Sequence, residues 1–146
     1  MMRNATLLAA FLLLATSVVA QVEKTFFQTF NIADGTRHIH IETPDSFELR
    51  SWNGVQLMVE TIVRLDGGTM DLLGFVIKDG RFSLDETNDS GNLNFKAHQP
   101  KRMLLKNQGT VCREKIKILM YVPEEFDVNS RTDFVRKETL LAVQKN

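Results

Sequence analysis

Two histidines and a glutamate alternate in a pattern that could hold a metal ion. His38, His40 and Glu42 are separated by isoleucines. If this segment is a strand, the three polar side chains point to one side of it. Imidazole and carboxylate groups bind zinc and other transition metals, and His98 is the only other histidine that could complete a site. An exposed polar strand face explains the same pattern more simply, and we prefer that interpretation.

Two other stretches carry chelating or reactive side chains. Residues 85–92 are acidic and rich in turn formers, but an EF-hand loop counted from Asp85 needs glycine where Ser90 stands and glutamate where Lys96 stands. A hairpin tip fits this stretch better. Cys112 is the only cysteine, so the chain cannot form an internal disulfide. Its basic neighbours could activate it as a nucleophile, but catalysis also needs a partner histidine in space, and we interpret it as a half-buried strand residue.

The common catalytic motifs do not occur in the sequence. It contains no Gly-x-Ser-x-Gly, no His-Glu-x-x-His and no phosphate-binding glycine loop. We therefore expect a protein that is not an enzyme and uses no cofactor, and we assign no catalytic, cofactor-binding or metal-binding residue. The alternative is a metal-binding protein or metal-dependent hydrolase that uses His38 and His40.

Strand patterns position these residues. Alternating apolar side chains predict strands at residues 37–42, 47–50, 55–65 and 115–122, after a strand rich in Thr and Phe at residues 24–30. The apolar face of these strands predicts a core of Ile39, Ile41, Phe47, Leu49, Leu57, Val59, Val63, Ile116, Ile118 and Met120. The predicted fold class is all-β, either an antiparallel two-sheet sandwich or a short solenoid-like β-domain.

The Trp-Asn-Gly junction at residues 52–54 bears on strand pairing. A two-residue turn would set Leu49 against Met58 and mix apolar positions with the polar face. A three-residue loop sets Leu49 opposite Leu57, with Gly54 in the left-handed conformation that such loops require. We therefore predict a three-residue hairpin loop here.

Less regular segments fill the rest of the chain. Residues 70–77 fit a short helix capped by Thr69 as well as they fit a strand, since a glycine interrupts the run. A hairpin with its turn at residues 88–91 follows, and residues 97–110 have the composition of a long polar loop. Residues 131–146 are expected to be a frayed strand, a terminal helix or a disordered tail.

The first twenty residues predict export. Arg3 precedes an apolar run, and the small side chains at Val18 and Ala20 suit a signal peptidase that cuts before Gln21. The run is shorter than the about 20 residues that a membrane-spanning helix needs. Residues 21–146 are then expected to form a single domain outside the cytoplasm, whether periplasmic, on the outer surface or secreted, with no transmembrane segment.

Charge bears on the partners that the chain could take. The sequence has 18 basic and 18 acidic residues, a balance that argues against a nucleic-acid binder. Residues 96–117 are nevertheless basic, with Glu114 as their only acid. Their cations are Lys96, Lys101, Arg102, Lys106, Arg113, Lys115 and Lys117. One patch of these side chains could attract an anionic glycan or lipid headgroup, although a solvated strand-and-loop face is the simpler interpretation.

Three stretches together resemble a known family. They are the leader ending at Ala20-Gln21, residues 39–61 with their Trp-Asn-Gly corner, and residues 116–128 with their Val-Pro strand end. Over residues 25–130 this pattern resembles the head GIN-domain family of exported bacterial adhesins. The resemblance implies a β-rich, often solenoid-like protein without an established enzymatic activity, so it supplies no catalytic residues. The family's glycine-marked repeats are not matched here, because no glycine follows Gly109.

Taken with the leader and the strand pattern, the resemblance predicts a non-enzymatic exported β-domain. We expect an envelope-associated, adhesin-like binding or structural module. Its expected partner is a cell-envelope component, a glycan or a protein.

Overall fold

The computed structural model describes residues 20–137, which form two large β-sheets, a two-stranded ribbon and one helix. The strands are β1 (Gln21–Asn31), β2 (His38–Glu42), β3 (Phe47–Trp52), β4 (Gln56–Asp66), β5 (Leu84–Asp89), β6 (Asn92–Ala97), β7 (Lys106–Asn107), β8 (Thr110–Val111), β9 (Arg113–Pro123), β10 (Phe126–Val128) and β11 (Asp133–Arg136), and the helix is α1 (Met70–Lys78). The predicted all-β class is confirmed, and the ambiguous segment at residues 70–77 is helical. The predicted leader up to residue 19 and the end of the predicted tail, residues 138–146, lie outside the described residues.

Three long strands dominate the first sheet, whose order is β1-β4-β9-β3. Each of these three strands, β1, β4 and β9, is 11 residues long. β4 is antiparallel to both β1 and β9, whereas β3 pairs with β9 in parallel. In β4, Leu57, Val59, Val63 and Leu65 are buried. Met58 and Arg64, which alternate with them, are partly exposed. Because side chains alternate across a strand, the sheet has an inner, apolar face and an outer face.

The second sheet, of order β10-β11-β2-β6-β5, covers much of that inner face. β2 and β6 pair in parallel, so both large sheets are mixed. β5 and β6 form a hairpin whose turn residues, Ser90 and Gly91, have φ of 51° and 88°. Two positive φ angles in a two-residue loop match the twist of the strands, and the hairpin predicted at residues 88–91 is present. β11 shows that residues 133–136 of the predicted tail are a strand inside this sheet.

The core between the sheets is close to the one predicted. Eight of the ten predicted core residues are buried, and Leu49 and Ile116 are partly buried at its margin. The second sheet adds Leu93, Phe95 and Phe134, each no more than 1% exposed. Alternation of apolar and polar residues was therefore sufficient to tell which side of β2, β3, β4 and β9 faces inward.

Helix α1 covers the remaining end of the inner face. The Thr69 hydroxyl accepts a hydrogen bond from the Leu72 N–H at 3.2 Å and caps the helix as predicted. Leu73 and Val76 are buried in a second apolar cluster, which also contains Cys112 at 4% exposure. The thiol is thus more buried than the half-buried position expected of it. No helix in the described part of the chain is long and apolar enough to cross a membrane.

The predicted hairpin between β3 and β4 is wrong. β9 lies between these two strands and pairs with both, so Leu49 is opposite Met120 and not opposite Leu57. Residues 53–55 therefore connect strands that are not neighbours. Alternation determines which face a side chain occupies, but it does not determine which strand lies alongside, and a later strand has entered between the two.

The corner at this connection depends on Trp52. Its indole Nε1 donates a hydrogen bond to the Gln56 carbonyl oxygen at 2.9 Å, and its ring lies edge-on to the Tyr121 ring at 6.2 Å. Gly54 does not have the positive φ predicted for it. A side chain at Gly54 would instead collide with the Trp52 indole, so close approach of the ring explains the glycine.

The segment predicted as a long loop, residues 97–110, contains the β7–β8 ribbon. Its turn residues Gln108 and Gly109 have φ of 49° and 81°, as in a two-residue hairpin loop. Residues 98–105 remain a loop, and the contacts that hold it are described below.

Candidate binding surface

Two of the three histidines lie at the outer face of the second sheet, and His98 begins the loop that follows β6. His38 and His40 share that face, as predicted for a strand. His40 Nδ1 is 2.6 Å from Asp133 Oδ1, and His98 Nδ1 is 2.9 Å from Asp85 Oδ2. Within residues 20–137 no three His, Cys, Asp or Glu side chains are grouped so that they could hold a metal ion. The metal hypothesis for His38 and His40 gains no support from these contacts, because His40 has a carboxylate partner on another strand.

Glu42, the other expected metal ligand, also has a charged partner, and the acidic stretch at residues 85–92 forms a hairpin. Glu42 Oε2 lies 3.3 Å from the Lys96 ammonium on the neighbouring strand β6. Residues 85–89 are strand β5, and they lead into the two-residue turn at Ser90 and Gly91. This stretch is the hairpin tip that we preferred to a calcium loop.

Asp133 is the most strongly held carboxylate of this face. It contacts His40 and accepts hydrogen bonds from the Ser130 hydroxyl at 2.8 Å and the Thr132 hydroxyl at 3.0 Å. The hydrogen bond with His40 is the largest cause that lowers the pKa of Asp133 below 3.8, followed by that from Ser130. Because Asp133 lies on β11 and His40 on β2, the contact joins the predicted tail to the centre of the sheet.

The lowered pKa predicts a pH dependence of stability. Asp133 binds a proton less readily in the folded chain than in the unfolded chain, so its contribution is complete above the unfolded pKa. The contribution is lost as the pH falls through the lowered folded pKa. We expect Asp133→Asn to lower the urea midpoint at neutral pH and to approach the wild-type midpoint below pH 3.8. Asp89→Asn, at the hairpin tip, controls for loss of a surface carboxylate, and a gap between wild type and Asp133→Asn that does not narrow in acid would contradict the prediction.

The predicted basic patch is not one surface. Lys96 lies on the outer face of the second sheet, whereas Lys115 and Lys117 lie on the outer face of the first sheet. Arg102 is mostly buried against Asp45, at distances of 2.8 and 2.5 Å. The seven cations therefore occupy opposite sides of the sandwich and its end, as the simpler interpretation of a solvated strand-and-loop face implies.

A buried ionic network that the sequence did not reveal holds the loop at residues 98–105. Arg81, only 7% exposed, donates to both carboxylate oxygens of Glu114 at 2.7 and 3.0 Å and to the Met103 carbonyl oxygen at 2.5 Å. The Phe82 ring lies between the guanidinium groups of Arg81 and Arg102, at 5.9 and 5.3 Å. The hydrogen bond to Asp45 is the main cause that raises the pKa of Arg102. A cavity of about 10 Å³ adjoins the network.

The outer face of the first sheet carries an exposed aromatic ring. Phe27 on β1 is 58% exposed and lies opposite Glu60 of β4, which lies opposite Leu119 of β9. Ile62 and Met58 flank Glu60 on the same face of β4 and are partly exposed. Phe27 on the edge strand β1 and Met58 and Ile62 on β4 form an apolar band, which continues on β9 to Leu119, a residue only 7% exposed.

Charged residues occupy the two ends of this face. At one end, which we call the basic end, the cations are Arg64, Arg113, Lys115 and Lys117, and the acids are Glu23 and Asp66. At the other, the acidic end, the acids are Glu48 and Glu60, and the cation is Arg50. Several pairs form within the face, such as Arg64 with Asp66 at 3.2 Å, and the Tyr121 hydroxyl donates to Glu60 Oε2 at 3.2 Å. Charged side chains therefore lie on both sides of the apolar ones, and Lys117 Nζ, 3.9 Å from Glu48 Oε1, joins the two ends.

This arrangement suits contact with another surface. An exposed aromatic ring beside partly exposed apolar side chains, with charges on both sides of them, has the composition of an interaction site. The sequence predicted which residues of β3, β4 and β9 face outward, but it assigned no face to β1, which carries Phe27. It did not predict the combined face, because that depends on the register of β1, β4, β9 and β3.

Comparisons with known proteins leave the site to be interpreted from its own geometry. No protein-family model matches the chain, and no curated protein or solved structure is significantly similar to it. The resemblance to the head GIN-domain adhesins accordingly stays a prediction that depends on the motifs quoted above.

Proposed function

We propose that the protein is a non-enzymatic exported β-domain that acts by surface contact, as an adhesin-like binding or structural module of the cell envelope. The leader pattern of residues 1–20 supports export, and the head GIN-like motifs support an adhesin-like role. The two-sheet sandwich supplies a rigid platform whose outer surfaces can meet a partner.

The observation that carries this proposal is the exposure of Phe27 on the apolar band. The ring of Phe27 lies on a central row of the face, beside Thr25, Thr29 and Glu60, and not at a chain end or loop tip. Burying a large apolar side chain is worth about 1.5–3 kcal/mol. A partner that covers Phe27 gains this free energy, and the charged ends around the band can set its orientation.

The glycine-marked repeats that the family uses are not matched in this chain, so the contact surface proposed here is the sheet face. An open sheet face favours an extended partner, such as an envelope polysaccharide or another protein surface.

We expect Phe27→Ser to weaken binding to isolated cell envelopes about tenfold, the loss that follows from uncovering one large apolar side chain. Val128→Ser is the matched control, because Val128 is 63% exposed but lies on β10 of the second sheet. Co-sedimentation of labelled protein with envelopes, and binding to immobilised peptidoglycan, measure the effect. Equal binding by wild type and Phe27→Ser, or equal loss in both variants, would contradict a role of this face.

A further inference from the structure

We propose that the outer face of the first sheet binds a second copy of the chain, face to face, about a two-fold axis that crosses the strands. This inference rests on the proposed function, since it takes the same face as the contact surface, and it names a second copy that competes with an envelope partner for that face. The face carries the chemistry of a self-complementary interface, in which each patch meets a different patch of an identical surface.

The charges of the face are arranged with opposite signs at its two ends. The basic end has four cations against two acids, and the acidic end has two acids against one cation. A two-fold axis that lies in the interface and crosses the strands turns one copy end over end. It places the basic end of each copy over the acidic end of the other, so that attraction occurs twice.

The apolar band lies where such an axis passes. The row of Thr25, Ile62 and Lys117 is next to the row of Phe27, Glu60 and Leu119. When the axis passes between these two rows, the Phe27 row of one copy lies on the Thr25 row of the second copy, and the Thr25 row lies on its Phe27 row. Lys117 of one copy, which lies 3.9 Å from Glu48 of its own chain, then comes close to Glu60 of the other, and Ile62 and Phe27 are covered.

Other two-fold arrangements are disfavoured by the same charges. An axis along the strands would keep the basic end of one copy over the basic end of the other, with like charges in contact. The inner face is not open to a second copy, because the second sheet and α1 already cover it.

The size of the face fits a reversible dimer. Strands about 4.8 Å apart and about 3.3 Å per residue give a face of roughly 600 Å² on each copy, or about 1,200 Å² in total. This area lies at the low end of specific interfaces, so dissociation in the micromolar range is expected.

Two charge reversals test the arrangement. In sedimentation velocity, Glu60→Lys and Lys117→Glu should each raise the dimer dissociation constant about tenfold or more, because each creates two like-charge contacts. An equimolar mixture of the two variants should dimerise again. In each mixed dimer one contact joins the native Lys117 to the native Glu60, and the other joins the two introduced side chains, whose charges are opposite. Recovery in the mixture also shows that both variants are folded.

Glu86→Lys is the matched control, because it makes the same charge change at an exposed position of β5 in the second sheet. It should leave the dimer unchanged. A wild-type protein that stays monomeric up to millimolar concentration, or a mixture that stays monomeric although both variants melt cooperatively, overturns the proposal. If one variant does not fold, two other measurements decide: Phe27→Ser should abolish dimerisation, and added salt should weaken the wild-type dimer. Dimerisation that neither the Phe27→Ser substitution nor salt changes overturns the proposal.

The outcome also separates this inference from the proposed function. A monomeric wild type whose envelope binding still depends on Phe27 overturns the homodimer and leaves the envelope-contact function standing. A dimer that follows the charge-reversal pattern, combined with envelope binding that ignores Phe27, supports the homodimer and removes the envelope role of the face.

Discussion

Replacing Arg81 with methionine is expected to lower the free energy of unfolding by about 3–5 kcal/mol, among the largest effects of any single substitution in this chain. Arg81 is 7% exposed, and its guanidinium holds both oxygens of Glu114 together with the Met103 carbonyl oxygen. Removing it leaves the Glu114 carboxylate, which is only 18% exposed, without its partner. A charge that is buried and unpaired costs far more than the pair contributes. Urea or thermal unfolding measures the loss.

Two further variants separate the buried charge from the loss of a long side chain. Arg50→Met removes an arginine that is 54% exposed and 3.8 Å from Glu48, and it should cost less than about 1 kcal/mol. The double variant Arg81→Met/Glu114→Leu should recover most of the stability, because apolar side chains can replace a buried ion pair at little cost. An Arg81→Met variant as stable as Arg50→Met would show that the pair does not stabilise the fold.

The pairing of Arg81 with Glu114 marks a limit of prediction from this sequence. The two residues are 33 positions apart, and their contact exists only after β9 has been placed beside β4. One signal was nevertheless available. Glu114 has the same parity as Ile116, Ile118 and Met120, so it had to point inward if they did. An inward carboxylate requires a cationic partner, and the search for one could have reached Arg81.

The strands themselves were easier to predict than their neighbours. Alternation placed Leu49 and Leu57 on the inner side, and both lie there, although Leu49 is only partly buried. It could not show that β9 separates them, because strand order depends on contacts between residues 47 to 71 positions apart. The outer face of the first sheet also depends on pairing between strands that are far apart in sequence. Phe27, Glu60 and Leu119 form one row only because three strands far apart in sequence are in register.

The last prediction concerns a residue of the predicted tail. We expect Phe134→Ala to lower the free energy of unfolding by about 3–5 kcal/mol, the usual cost of truncating a buried phenylalanine. Phe134 is fully buried in the main core and pairs with Ile39 of β2 and with Val128 of β10. Its loss would leave a cavity beneath the centre of the second sheet.

The contacts around Phe134 explain why this end of the chain is fixed. Arg136 is 9% exposed, donates from Nε to the Thr36 carbonyl oxygen at 2.6 Å and stacks over the Phe126 ring at 4.8 Å. The control Val128→Ala, at a position 63% exposed, should change stability by less than about 0.5 kcal/mol. If residues 131–137 were the frayed strand that the sequence allowed, Phe134→Ala would cost no more than this control. A cost of several kcal/mol instead requires β11 to be an integral strand of the sandwich, since only a side chain enclosed by the core leaves a cavity when it is removed.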